Sequence, residues 1–108
     1  MKSIYPDIAT LLLELEGELR RLALWESEPP APEALASTQP FCVDTLTLPQ
    51  WLQFVFLPRM SQLVEAEHPL PQKCGIAPMA EEYFSGGQLP IAGLVRKLTE
   101  IDERLEQG

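Results

Sequence analysis

Apolar side chains at Ile4, Ile8, Leu11, Leu12, Leu15, Leu19 and Leu22 recur three and four positions apart. That is the one-sided stripe of an amphipathic helix, and it predicts helix from Ile4 to Trp25. Leu13 and Leu24 fall off the stripe. They lie about three turns apart with Gly17 between them, a second narrow strip on the opposite side. Either the segment that follows folds back over this strip or a partner covers it.

A second stretch opens at Thr47, whose hydroxyl can accept an early backbone amide while Gln50 reaches back, a capping box with Pro49 tolerated in the first turn. Leu48, Trp51, Leu52, Phe54, Val55, Phe56, Leu57, Met60, Leu63 and Val64 then occupy nearly the whole circumference. The helix from Thr47 to Glu67 should therefore be central, touching several neighbours. Pro58 interrupts it. An interior proline costs about 3 kcal/mol and leaves the Phe54 carbonyl without its donor, so a kink or notch is predicted there. His68-Pro69-Leu70-Pro71 ends the helix, because the residue before a proline is pushed out of helical geometry.

Pro78 in a first turn, Glu81 and Glu82 near the positive end of the helix dipole, and the stop Ser85-Gly86-Gly87 predict a short helix from Ala77 to Phe84. Met79, Ala80, Tyr83 and Phe84 would face inward. From Pro90 onward Ile91, Leu94, Val95, Leu98, Ile101 and Leu105 repeat as one more one-sided helix. Between Glu26 and Thr47, Pro29, Pro30, Pro32 and Pro40 exclude a long helix. That segment reads as a crossing loop with one helical turn over Glu33 to Ala36, anchored by Phe41, Val43 and Leu46. No segment alternates as a strand would. The expectation is an all-α four-helix bundle, with a long Pro-rich loop between helices one and two and a Pro-kinked second helix, residues 1–108 forming one domain.

Charge narrows the partners. Sixteen acidic against eight basic residues give a net charge of −8, which repels the phosphate backbone of nucleic acid and anionic membrane surfaces. The basic pairs Arg20-Arg21 and Arg96-Lys97 are each flanked by acids. No apolar run approaches the roughly 18 residues of a membrane span, and no basic start followed by an apolar core marks a secretion signal. These features predict a cytoplasmic protein that binds neither nucleic acid directly nor membranes. Cys42 and Cys74 lie in loop-like stretches, and a reducing compartment would keep them as free thiols.

The residues offer little chemistry. A nucleophile needs a base within hydrogen-bond reach, and the single histidine, His68, sits at a helix end beside a proline. A Cys74–His68 couple would require the chain to fold back, and an exposed histidine is the plainer expectation. Glu14, Glu18, Glu81, Glu82, Glu100 and Glu103 fall on surface-facing positions, without the burial that raises a general acid's pKa. Two cysteines and one histidine do not make a structural zinc site. Phosphate-binding glycine loops and the Gly-x-Ser-x-Gly elbow are absent. Hence no catalytic residue, cofactor or metal is expected. What remains is an aromatic and cationic grouping: Trp51, Phe54, Pro58 and Arg59, with Tyr83 and Phe84, reads either as core packing or as a partner groove rimmed by Arg59 and Glu82. At the proline defect, Arg59 would either be satisfied internally, by a free carbonyl or by Glu82, or point outward beside Trp51 or Tyr83 for binding, and the internal outcome is the one expected.

The run Gln50-Trp51-Leu52-Gln53-Phe54-Val55-Phe56-Leu57-Pro58-Arg59-Met60, then Pro69-Leu70-Pro71, then Ala77-Pro78-Met79-Ala80-Glu81-Glu82, resembles the bacterial YqcC-like family in order and spacing. The resemblance runs from the first helix to the last. It implies a small cytosolic four-helix bundle of unknown biochemical role. It also implies a genomic place beside a tRNA pseudouridine synthase, whose name some family descriptions borrow. Pseudouridine synthases use an aspartate in an Arg-Leu-Asp-type context on a mixed sheet, and Asp7, Asp44 and Asp102 have no such context. All three are expected at or beside exposed helix ends or loops. Met79 and Ala80 stand where family members tend to carry tyrosines.

Three functions fit these features. The leading one is a non-enzymatic accessory module whose partner is another protein, bound through the aromatic surface around the second and third helices. The others are a component associated with tRNA modification, and a bundle that binds a small molecule near Pro58.

Overall fold

The computed structural model describes residues 4–39, 42, 44–71 and 75–107, and all regular structure among them is helical. The expected anchors Phe41 and Val43, and Cys74, lie outside the described residues.

Helix α1 (Tyr5–Arg21) buries Ile8, Leu11, Leu12, Leu15 and Leu19, the stripe set by the sequence. It stops short of Trp25. Ala23 takes a left-handed φ of 61°, Leu24 N–H donates to Leu19 O at 2.9 Å, and Ala23 N–H donates to Arg20 O at 3.0 Å. This double closure is the helix stop usually built on glycine, and an alanine there gives no warning in the sequence. The turn carries Leu24 into partial burial against the core, whereas Leu13 remains 72% exposed. Leu13 and Leu24 therefore form no common strip, and the following segment does not cover Leu13.

The short α2 (Pro32–Leu35) begins on proline, as expected. Its segment is tied down by Thr45 Oγ1 donating to Ala34 O at 2.6 Å and Ser37 Oγ donating to Asp44 at 2.5 Å, with Leu46 and the free thiol of Cys42 buried.

The central rod has three parts: α3 (Leu48–Trp51), a π-helical turn (Leu52–Phe56) and α4 (Leu57–Glu65). The Thr47–Gln50 capping box forms with both bonds, at 3.2 and 2.9 Å. The π turn lies just before Pro58, and in it Leu57 N–H donates to Leu52 O. With no amide on Pro58, the preceding turn gains freedom to widen to a five-residue spacing. A second glycine-free stop ends α4: Glu67 has φ 52°, and His68 N–H donates to Leu63 O at 2.9 Å.

Helix α5 (Ile76–Tyr83) has no cap from its own sequence. Asp102, on α6 (Ala92–Gln107), supplies it across space, accepting from Ala77 N–H at 2.9 Å and Ile76 N–H at 3.3 Å. Asp102 is thus neither in a loop nor at a helix end. Ala80 faces inward and Met79 and Phe84 pack on the core, but Tyr83, the last residue of α5, is 47% exposed.

Helix α1 packs against both α4 and α6, and α5 packs on α6. The Tyr5 hydroxyl donates to His68 O at 2.8 Å, and Arg104 bonds Asp7 at 2.6 Å, so α1 runs antiparallel to α4 and to α6. Ile8, Leu15, Leu19, Leu52, Met60, Ile76, Leu94, Leu98 and Ile101 fill the core between them.

Candidate functional site

Leu13 stands at the edge of a groove of about 480 Å³ between α1 and α4. From α1 come Ala9, Leu12, Leu13 and Glu16; from α4 come Leu57, Pro58, Ser61, Val64 and Glu65. Ala9 and Ser61 are small, so bulkier neighbours on both helices stand as walls around them. Leu12 and Leu57 are buried and Val64 half-buried, giving the groove an apolar floor.

Trp25 and Gln53 close one end. Gln53 is a buried polar side chain and its amide is fully used. Its Oε1 accepts from Glu26 N–H at 2.8 Å, and its Nε2 donates to Glu26 O at 2.7 Å. Gln50 Nε2 adds a bond to the Glu26 carboxylate at 3.3 Å. These bonds fix the backbone beside Trp25, and the Arg20 guanidinium lies 4.5 Å from the centre of its ring. The antiparallel packing places Glu16 toward this end and Glu65 toward the other. Glu16 bonds Arg20 at 2.9 Å, while Glu65 has no ion pair among the described residues.

The residues singled out from sequence separate into distinct places. Pro58 is exposed and lines the groove. Trp51 stacks on Phe56 at 5.5 Å and 29°, the π turn bringing residues five apart over one another. Phe54 is half-buried. Tyr83 and Phe84 pair edge-on at 4.9 Å where α5 ends, and Glu82 is exposed. The internal satisfaction expected of Arg59 is not found. Its side chain is exposed, and among the described residues it makes neither an ion pair with Glu82 nor any other polar bond.

Sequence reasoning singled out Leu13 and Pro58 but missed Ala9, Ser61, Val64 and Trp25. The off-stripe position of Leu13 was the available signal, whereas the hollow at Ala9 and Ser61 arises only when α1 and α4 meet.

A second hollow, of about 410 Å³, lies between α1 and α6 and is lined by Asp7, Thr10, Leu11, Glu100, Glu103 and Arg104. The Asp7–Arg104 ion pair belongs to it. Beside it Lys97 bonds Glu14 and Glu100, each at 3.2 Å, and those bonds raise its pKa above the ordinary lysine value. All three aspartates are thereby engaged: Asp7 with Arg104, Asp44 with Ser37 and Asp102 with two amides of α5. No described helix is long and apolar enough to cross a membrane.

Residues 7–104 match the model of the family DUF446, described as "tRNA pseudouridine synthase C". An uncharacterized protein of Haemophilus influenzae is 45% identical over 71 residues, 66% of this chain and 67% of that one. The uncharacterized protein YqcC of Escherichia coli is 35% identical over 91 residues, 84% of each chain. A protein of Pectobacterium carotovorum called tRNA pseudouridine synthase C is 39% identical over 77 residues, which are 71% of this chain but 20% of that protein. The solution structure of YqcC from E. coli superposes with a TM-score of 0.86 at 30% identity, covering 97% of this chain and 90% of that one. With this match in sequence and in fold along nearly its whole length, the chain belongs to the YqcC-like, DUF446 family.

Proposed function

We propose that this chain is a non-catalytic, protein-binding accessory module whose partner is a tRNA pseudouridine synthase. The observation that carries the binding role is Leu13, a large apolar side chain 72% exposed on the wall of an apolar groove. Isolated exposed leucines are ordinary, but one continuous with an apolar hollow is the arrangement of an interaction site. In this reading the helices act as a four-helix bundle, with α3, the π turn and α4 as one interrupted rod and the Pro-rich segment as its long crossing loop.

The partner is chosen from the Pectobacterium protein. There a segment similar to this chain makes up 20% of a longer protein named for the synthase activity. Covalent linkage in one organism favours contact between the separate chains in another. Asp102, the one aspartate bonded to two backbone amides, serves the start of α5. A small-molecule site is the second reading, because the groove's 480 Å³ lies within the usual range of about 300–1,000 Å³ for ligand pockets. Its open, acid-flanked side favours a protein.

The test is direct binding of the purified chain to the pseudouridine synthase of the same organism by calorimetry. A complex with the native chain, lost with Leu13→Glu, is expected; no binding would overturn the partner, and binding that ignores this change would overturn the groove as its site. In parallel, the chain alone incubated with unmodified tRNA should form no pseudouridine. An aspartate-dependent product would make it an enzyme.

A further inference from the structure

Resting on the protein-binding reading above, we infer that the groove between α1 and α4 receives one amphipathic helix of the partner, whose apolar stripe is flanked by Lys or Arg. The walls decide the shape of the occupant. Two antiparallel helices with small residues, Ala9 and Ser61, facing the hollow offer the seat into which a third helix sets its ridges. An extended peptide would instead need a sheet edge for its backbone bonds, and the described residues contain no strand. From Leu57 to Glu65 the groove is roughly 12 Å long, about two turns, enough for apolar anchors spaced i and i+4 or i and i+7.

Charge decides the flanks. Both ionisable side chains that line the groove are acids, one toward each end, and Glu65 is left without a cationic partner among the described residues. Arg20 already neutralises Glu16 and lies against Trp25, so a docking cation gains most at Glu65. The net charge of −8 adds a long-range attraction for a basic segment. The same charge opposes a second copy of this chain, which would set one acidic molecule against another, and it opposes an anionic lipid surface.

The experiment uses the intact chain with Trp51→Phe, so that tryptophan emission reports Trp25 at the end of the groove. It is titrated with synthetic helical peptides of about 20 residues sharing one leucine stripe, flanked by Lys in one and by Glu in the other. The Lys-flanked peptide should bind about tenfold more tightly at low salt, with that preference fading as salt is raised. Glu65→Lys should invert the preference, and Leu13→Glu should abolish binding of both peptides. Both changes fall on exposed positions, so unaltered circular-dichroism melts are expected alongside, and Ser61→Phe, which adds no second tryptophan, gives an independent block of the hollow.

Equal binding of the two peptides, binding of neither, or an unchanged preference in Glu65→Lys would overturn the inference. So would a dimer in sedimentation equilibrium dispersed by Leu13→Glu, which assigns the groove to a second copy. A small molecule retained through purification and released on unfolding would assign it to a ligand and overturn it likewise. If the synthase binds but neither the peptides nor the groove variants behave as stated, the docking mode fails and the partner stands. If the peptides behave as stated and the synthase does not bind, the partner fails and the groove stands.

Discussion

Ala23 holds a φ of 61°, a conformation in which its Cβ presses on the neighbouring carbonyl at a cost of about 1–2 kcal/mol. The position has to be left-handed, because the amides of Ala23 and Leu24 close the end of α1. Ala23→Gly should therefore raise stability by about 1 kcal/mol, read from urea unfolding, despite the added freedom of the unfolded chain. A loss would place the strain elsewhere. Arg59 leads to the opposite kind of expectation. Exposed and without a polar partner among the described residues, it should be replaceable by alanine within about 0.5 kcal/mol. A melt lowered well beyond that would reveal an internal role that the structure does not contain. The sequence names both residues readily, but it could not reveal their conditions. Nothing in an alanine marks a left-handed stop, and whether an arginine beside a proline turns inward depends on how the backbone takes up the missing amide.

Helices α1 and α6 were legible as elements because their apolar residues keep one period throughout, and the start of α3 was legible because both halves of the Thr47–Gln50 box are local. The π turn was legible only as trouble near Pro58: a proline says that a bond is lost, not how the preceding turn rearranges. Asp102 as the cap of α5 was illegible altogether, since donor and acceptor belong to different helices. Removing it tests that placement. Asp102→Ala should cost about 1–2 kcal/mol and speed amide exchange in the first turn of α5. Asp102→Asn, which keeps an acceptor, should lose less; equal losses would mean that the two amide bonds are not what the carboxylate contributes.

Across the molecule, charges on separate helices tie the packing together. Lys97 on α6 reaches Glu14 on α1 as well as Glu100 on its own helix, and those bonds raise its pKa above 10.5. A base whose pKa is raised by folding contributes stability in full below its unfolded value, and the contribution disappears as pH climbs through the folded value. The melting-temperature gap between native chain and Lys97→Met should thus stay constant from neutral pH into the mild alkaline range and close above it. A gap that closes on acidification instead would point to the carboxylates. The groove is a property of this same scale, which is why the sequence concealed it: it exists only where α1 and α4 meet.

The cap on α5 bears on how the chain is made. During synthesis α5 leaves the ribosome well before Asp102 does, so its first two amides have only water to bond until α6 has emerged and docked. A nascent chain halted anywhere before Asp102 would carry an uncapped α5 with at most the first part of α6 to lie on. Quality-control proteases acting on such stalled chains would meet an α5 whose start is still open.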